Sequence, residues 1–482
     1  MPTTFLRRAM ALAACALALL ATGAQAQTLL SLYQRAHGHD AALQAALARA
    51  QASQYRADQA RAGLLPQVGL QAGAQRNWVD VNVAGQGSSR SYNAINGALV
   101  GSQPLYRPAN RITWDQGKRN AELARAQLSD AEQDLIVRLA QAYFDVLAAQ
   151  DTLTYVRALK SAVTEQLEAA RRNFEVGNAT ITDSREAEAR RDLSTAQEIA
   201  AENDLHVKRL ALDQLVGQSG THPHPLAQPI VLPRVAPENV EHWVNLATDQ
   251  HPVVQQARMA LDIARMETAK AKTGHLPAVD LQASVGQTRY PDGNPAFGAA
   301  PGARYRNTNA GVGVVLNWPL FAGFAVENRV RETLSLEDGA RADLDHVQRT
   351  VAQAARTAYF GVESGHGQVR ALEAAEASSL TALEANQLGY EVGVRINIDV
   401  LNAQSQLYQT RSQLARARYD VLLGLLRLHQ AAGTLTDADL LPVNAMLAGD
   451  ATPAAAASPD TTSAPAPDTP AAAPRPARAD RR

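Results

Sequence analysis

Phe174-Glu175-Val176-Gly177, followed by Asp183, returns 216 residues later as Tyr390-Glu391-Val392-Gly393, followed by Asp399. The same offset relates Ala142-Tyr143-Phe144 to Ala358-Tyr359-Phe360 and Gly217 to Gly433. Upstream, Gly63-Leu64-Leu65-Pro66 matches Gly274-His275-Leu276-Pro277 at an offset of 211. A chain that contains itself twice is built from two copies of one supersecondary unit. The few residues gained between the copies fall in a connection, where insertions are tolerated.

No proline occurs between Pro108 and Pro223, nor between Pro319 and Pro442, so each gap can hold continuous helix. In the first gap Leu135, Leu139, Ala142, Val146, Ala149, Leu153, Val156, Lys160, Val163, Leu167, Ala170 and Phe174 alternate steps of four and three. That spacing is a coiled-coil seam, broken only by Lys160. The second gap repeats the grid from Val351 to Tyr390, with Glu376 at the polar break. A helix from Asn110 to Phe174 is about 100 Å long at 1.5 Å per residue, which implies a projecting rod or tube. Gly177 and Gly393 mark the turns, after which Asp183 and Glu186 offer an N-cap and a capping-box partner. Each repeat is thus a long helical hairpin.

Strands are expected at the opposite ends. Val68, Leu70, Ala72 and Ala74 alternate with Gly69, Gln71, Gly73 and Gln75, and Val279 to Gly286 does the same. Period-two alternation with one polar face suits a strand between lipid and an aqueous lumen. Partner strands are expected after Gly-, Ser- and Pro-rich loops, ending near Pro104 and Pro319. Trp78, Tyr92, Tyr106, Tyr290, Tyr305, Trp318 and Phe321 lie near the strand ends, as interfacial girdles require. Four strands cannot close a barrel when about eight is the minimum, so a membrane reading requires oligomerisation, and a trimer supplies twelve.

The 482 residues, 46% hydrophobic with net charge −1, suffice for a large core and lack the basic bias of a nucleic-acid binder. Arg7-Arg8, the apolar run Ala9 to Ala21 and Ala24-Gln25-Ala26 compose a secretory signal peptide over residues 1–26. The single cysteine, Cys15, lies too close to Arg8 for a lipoprotein signal and is expected to leave with it. Beyond the signal no apolar run reaches the roughly 18 residues of a membrane-spanning helix, so a membrane span has to be a closed β-barrel. Residues 27–217 form the first repeat, 218–239 a Pro-rich linker and 240–433 the second repeat. Residues 434–448 are expected to pack on the tunnel, and 449–482 form an Ala/Pro-rich disordered tail. His37-Gly38-His39-Asp40 and His222-Pro223-His224 lack metal-ligand spacing, and no phosphate loop or nucleophile elbow occurs, so no cofactor and no enzyme activity is expected.

Tyr390-Glu391-Val392-Gly393-Val394-Arg395, Asp399-Val400-Leu401-Asn402-Ala403 and Ala432-Gly433-Thr434-Leu435, with the paired Gly-x-Leu-Pro motifs, resemble TolC-type outer-membrane channels. The resemblance spans about Thr28 to Leu441. It implies a mainly α fold with a membrane β-barrel: a trimeric α-helical tunnel plus a 12-stranded barrel in the outer-membrane lipid, four strands per chain. It also implies a passive conduit for type I protein secretion or small-molecule efflux, opened by a periplasmic adaptor and an ABC or proton-driven inner-membrane transporter. By the same resemblance Asp399 forms a ring at the tunnel entrance, with Asn402 where a second ring carboxylate is expected. Asp183, Thr182, Tyr390 and Arg395 then form the entrance latch. The alternative is a non-pore cell-envelope coiled-coil scaffold or adhesin, which would have no use for lipid-facing strands.

Overall fold

A computed structural model describes residues 27–83, 86–177, 180–293 and 303–447; the signal peptide with Cys15, and the Ala/Pro-rich tail, lie outside the described residues. The repeat is visible element by element. Helices α1 (Leu29–His39) and α2 (Ala41–Arg61) precede strands β1 (Gln67–Val83) and β2 (Gln86–Tyr106), then the long pair α3 (Pro108–Glu175) and α4 (Ile181–Val216). The second copy runs α5 (Val240–Gln250), α6 (Pro252–Lys272), β3 (Ala278–Tyr290), β4 (Tyr305–Asn317), α7 (Ala325–Glu391) and α8 (Asn397–Ala432), followed by a short α9 (Leu440–Ala445). At 68 and 67 residues, α3 and α7 are each about 100 Å long.

The paired Gly-x-Leu-Pro motifs convert helix to strand. Each glycine lies in a 3₁₀ turn, Ala62–Leu64 or Thr273–His275, and each proline stands directly before the strand. A Cβ on Gly274 would meet Val326 at 2.9 Å, so a side chain there would push α7 away from the turn. Arg107, where α3 begins, donates two parallel hydrogen bonds to Asp280 of β3 at 2.8 and 2.6 Å, tying the helical and strand regions together.

The four strands form one antiparallel sheet in the order β1-β2-β3-β4. Its register places Leu70 beside Leu99, Leu99 beside Val285, and Val285 beside Ala310. The next row is Val68, Gly101, Ala283 and Val312. The period-two pattern of each repeat therefore converges on a single apolar face. That face is bare in the protomer, with Val68, Leu70 and Val312 71%, 78% and 76% exposed. The opposite face carries Gln71, Asn96, Thr288 and Asn309. The aromatics sort into two levels. Tyr92, Tyr290 and Tyr305 cluster with ring centroids 5.9 and 5.8 Å apart at one end, while Trp318, Phe321 and Phe324 stand exposed at the other.

Two expectations are corrected. The Gly- and Ser-rich segment after Val79, expected as a loop, is strand over its described residues: β1 and β2 pair from Gln67 with Ser102 to Val83 with Gln86. Polar residues are carried into strand there because the neighbouring strand satisfies their backbone groups. The helix caps also differ. Thr180, not Asp183, is the N-cap of α4, and Asp183 is its capping-box partner in place of Glu186.

The seam is buried as its period requires, through Leu135, Leu139, Val146, Leu153, Val163 and Leu167 in α3 and Val351, Ala355, Val362 and Val369 in α7. At the two polar breaks Lys160 donates to Glu198 at 2.8 Å, and Glu376 accepts from Arg411 at 2.9 Å. Each hairpin is thus bridged at one height, with the charges exchanged between copies. The main core gathers Leu29 and Leu32 of α1, Tyr143 and Leu147 of α3, Leu212 of α4, Leu422 and Leu426 of α8 and Leu440 of α9. The linker 218–239 is a belt across this core. The Tyr143 hydroxyl donates to the His224 carbonyl at 3.0 Å, the Trp243 indole to the Pro237 carbonyl at 3.1 Å, and the Ala227 amide to the Met446 carbonyl at 2.8 Å.

Candidate functional site

The shared geometry of the two hairpin turns follows from their glycines. Gly177 and Gly393 have φ of 80° and 77°, a left-handed conformation that an L side chain adopts only with strain. After Gly393 the chain folds back, and the amides of Val394 and Arg395 both donate to the Gly389 carbonyl, at 2.9 and 3.0 Å. Gly389 is buried under Arg395: a Cβ there would sit 2.6 Å from Arg395 Cγ. This glycine was not singled out by the sequence pattern, yet it sets where Arg395 emerges.

Asp399 occupies the first turn of α8, whose N-cap is Ile396 with no side-chain cap, so Asp399 is not itself a cap. It lies 3.6 Å from Arg395 one turn away, with both side chains substantially exposed, a pair that contributes under about 1 kcal/mol. Asn402 accepts from Arg190 of α4 at 2.7 Å. Tyr390 packs beside Leu383, Val400 and Leu407, and its hydroxyl accepts from Asn173 of α3 at 3.3 Å. The Asp183 carboxylate accepts from the Thr180 amide and hydroxyl at 3.0 and 2.8 Å. Thr182 is exposed beside it. Within one protomer Arg395 thus pairs with Asp399, and Asp183 with Thr180. All six lie at the hairpin-tip end, spread over two hairpins.

Asn397 joins those hairpins. It has no solvent exposure; its Oδ1 accepts from Gln166 Nε2 of α3, and its Nδ2 donates to the Asp183 carbonyl of α4 at 3.3 Å. Its counterpart in the first repeat is Ile181, 49% exposed. A polar residue buried where its repeat-mate is apolar and exposed is a signal that comparison of the two copies contains.

Asp40 caps α2 through the Leu43 amide at 2.7 Å and pairs with Arg138; burial alone would raise its pKa, but these backbone and Arg138 interactions together outweigh it and hold the carboxyl below the usual range. Among the described residues no group of three or more His, Cys, Asp or Glu side chains could hold a metal ion.

The Tyr92, Tyr290 and Tyr305 cluster falls on the polar face with Asn96, Thr288 and Asn309, so those three do not form the expected lipid-facing girdle. A bare apolar sheet face, with helical hairpins about 100 Å long on one side of it, fits a membrane-anchored tunnel protein. The chain belongs to the outer membrane efflux protein family, whose model matches residues 32–218 and 243–434, one block per repeat. It is 33% identical to the outer membrane protein TolC of Vibrio cholerae serotype O1, over 90% of this chain and 96% of that protein. The alkaline protease secretion protein AprF of Pseudomonas aeruginosa is also 33% identical, over 94% of each. The crystal structure of the outer membrane protein VceC from Vibrio cholerae shares the fold, with a TM-score of 0.72 at 20% identity, covering 84% of this chain and 96% of that one. The protein is an outer-membrane channel of the secretion and efflux class, and its family is one of channels rather than enzymes. The scaffold or adhesin alternative is not favoured.

Proposed function

We propose that three copies of this chain close a 12-stranded barrel and a continuous helical tunnel. The assembly is a passive export conduit, opened at the hairpin tips when a periplasmic adaptor and an inner-membrane transporter dock. The observation that carries this reading is the four-stranded sheet with an apolar outer face and two unpaired edges, since four strands cannot close alone. Three Asp399 carboxylates form the entrance ring, and Asn402, engaged by Arg190, adds no second acidic ring. Asp183, Thr182, Tyr390 and Arg395 latch the closed entrance, with the Arg395 to Asp183 contact made between neighbouring protomers. Relatives named for alkaline protease and protease secretion support secreted proteins as cargo.

Single-channel conductance in a planar bilayer tests the reading. The native protein is expected to show a small, long-lived conductance that a multivalent cation blocks from the periplasmic side, and Asp399→Ala to lose the block. Asp183→Ala with Arg395→Ser is expected to raise conductance. No conductance from inserted, folded oligomers would overturn the channel; conductance without Asp399-dependent block would remove the ring, and an unchanged double variant the latch.

A further inference from the structure

On the tip side of the main core, where Leu422 and Leu426 already pack on the first hairpin, helix α8 meets that hairpin through a narrow apolar joint. Leu401, flanked by Ile398 and Tyr408, packs against Leu159, Val163 and Leu167 of α3 and Ala187 of α4. Toward the tips that joint stops: Phe174, Val176, Ile181, Val392, Val394 and Ile396 are all exposed. Apolar contact is non-directional and leaves the height of one hairpin against the other weakly fixed. Farther from the tips Tyr419 of α8 donates to Asp151 of α3 at 2.7 Å; near the tips other directional bonds have to set it, and Asn397 is the fully buried side chain among those that supply them there. It stands one turn tipward of Leu401 and engages both helices of the first hairpin, through Gln166 Nε2 and the Asp183 carbonyl. The bonds of Arg190 to Asn402 and Asn173 to Tyr390 span the same two hairpins from more exposed positions.

We propose that Asn397 is the positioning residue that clamps the two hairpins of one protomer in the closed register, so that its loss biases the tunnel entrance toward an open state. This rests on the channel reading for its consequence, though not for its geometry. With Asn397 truncated, the Gln166 amide and the Asp183 carbonyl each lose a hydrogen bond in a partly buried site, and separation of the hairpins lets water replace it. The clamp lies inside each protomer, so it differs from a latch between protomers: it governs how each copy's hairpins sit on one another. The first repeat has Ile181 at this position and no equivalent bonds, so the second hairpin alone is held this way.

Two readouts on the assembled full-length protein test it. In a background carrying Arg190→Cys and Asn402→Cys, a short bis-thiosulfonate reagent links the hairpins within one chain. Adding Asn397→Ala is expected to slow that cross-link several-fold, and an unchanged rate would overturn the clamp. In bilayers Asn397→Ala is expected to raise conductance several-fold, and cross-linking the same channel to return it to the low native level. Conductance equal to native, or elevated conductance that cross-linking leaves untouched, would overturn the gating role. Gln166→Ala removes the Oδ1 partner alone and is expected to act part-way in both readouts; if Asn397→Ala does not assemble, it decides the question by the same criteria. A native protein that inserts without conducting, combined with a slowed cross-link in Asn397→Ala, would refute the channel and leave the clamp standing.

Discussion

Glu267 of α6 shows how single residues hold this molecule upright. Its carboxylate accepts from Gln116 of α3 at 2.9 Å, from Lys270 at 2.6 Å and from Arg329 of α7 at 2.8 Å, joining three helices near their strand-proximal ends. Burial alone would raise its pKa, but the hydrogen bonds outweigh it and hold the carboxyl at about 2. A depressed carboxylate contributes stability that is fully present above its unfolded value near 4.5 and is lost as pH falls toward 2. Over that window the loss is on the order of 2 to 3 kcal/mol per copy. Glu267→Gln is expected to lower the melting temperature at pH 7 and to flatten its fall between pH 5 and pH 2, measured by circular dichroism in detergent. A variant that retains the native acid slope would remove Glu267 as the source. Asp151 acts with the opposite sign. Burial raises its pKa, against the lowering bond from the Tyr419 hydroxyl at 2.7 Å, so its contribution is present at low pH and lost as pH rises through the raised value.

At the scale of elements, the four helix-ending glycines divide into two kinds. Gly177 and Gly393 need only a positive φ, since nothing stands within 4 Å of an added Cβ. Gly217 and Gly433, with φ of 72° and 73°, also lack room: a Cβ would lie 2.4 Å from the His39 ring and 2.3 Å from the His251 Cα. Gly393→Ala is therefore expected to cost about 1 kcal/mol of backbone strain. Gly433→Ala adds a backbone collision between α8 and the start of α6 and is expected to cost about 3 kcal/mol or more, or to block assembly. Equal melting temperatures for the two variants would contradict the packing at Gly433. The repeat, the hairpins and the polar breaks at Lys160 and Glu376 were legible because coiled-coil periodicity and proline placement are local properties. The strand state of the segment after Val79 was not, because it is imposed by pairing across the sheet. Asn397 and Gly389 were missed because their role lies in what packs against them, and a single repeat read alone contains no sign of it.

For the whole molecule, the decisive property is that one protomer leaves its work unfinished. The sheet order puts β1 and β4 at open edges, and an apolar face with free edges is a template for further pairing. In the proposed trimer, three copies joined β1 to β4 would remove every edge and turn the apolar face outward to lipid. At about 3.3 Å per residue the 17-residue β1 is longer than a bilayer needs, so the β1–β2 hairpin extends past the β3 and β4 ladder and beyond the membrane. The face assignment makes opposite demands on neighbouring residues of β4. Val312 lies in the row with Val68, and Asn309 in the row with Gln71, Ala98 and Gly286 on the other face. Val312→Lys places a charge in hydrocarbon and is expected to cost about 2 to 4 kcal/mol per copy, multiplied threefold in the assembly. Heat-modifiable oligomer should then disappear from the outer-membrane fraction. Asn309→Lys places the same charge in the lumen, where water solvates it; the barrel should assemble at native levels and its ion selectivity shift toward anions. If Asn309→Lys abolished assembly while Val312→Lys inserted and changed selectivity, the two faces would be reversed, and the route of substrate through the barrel with them.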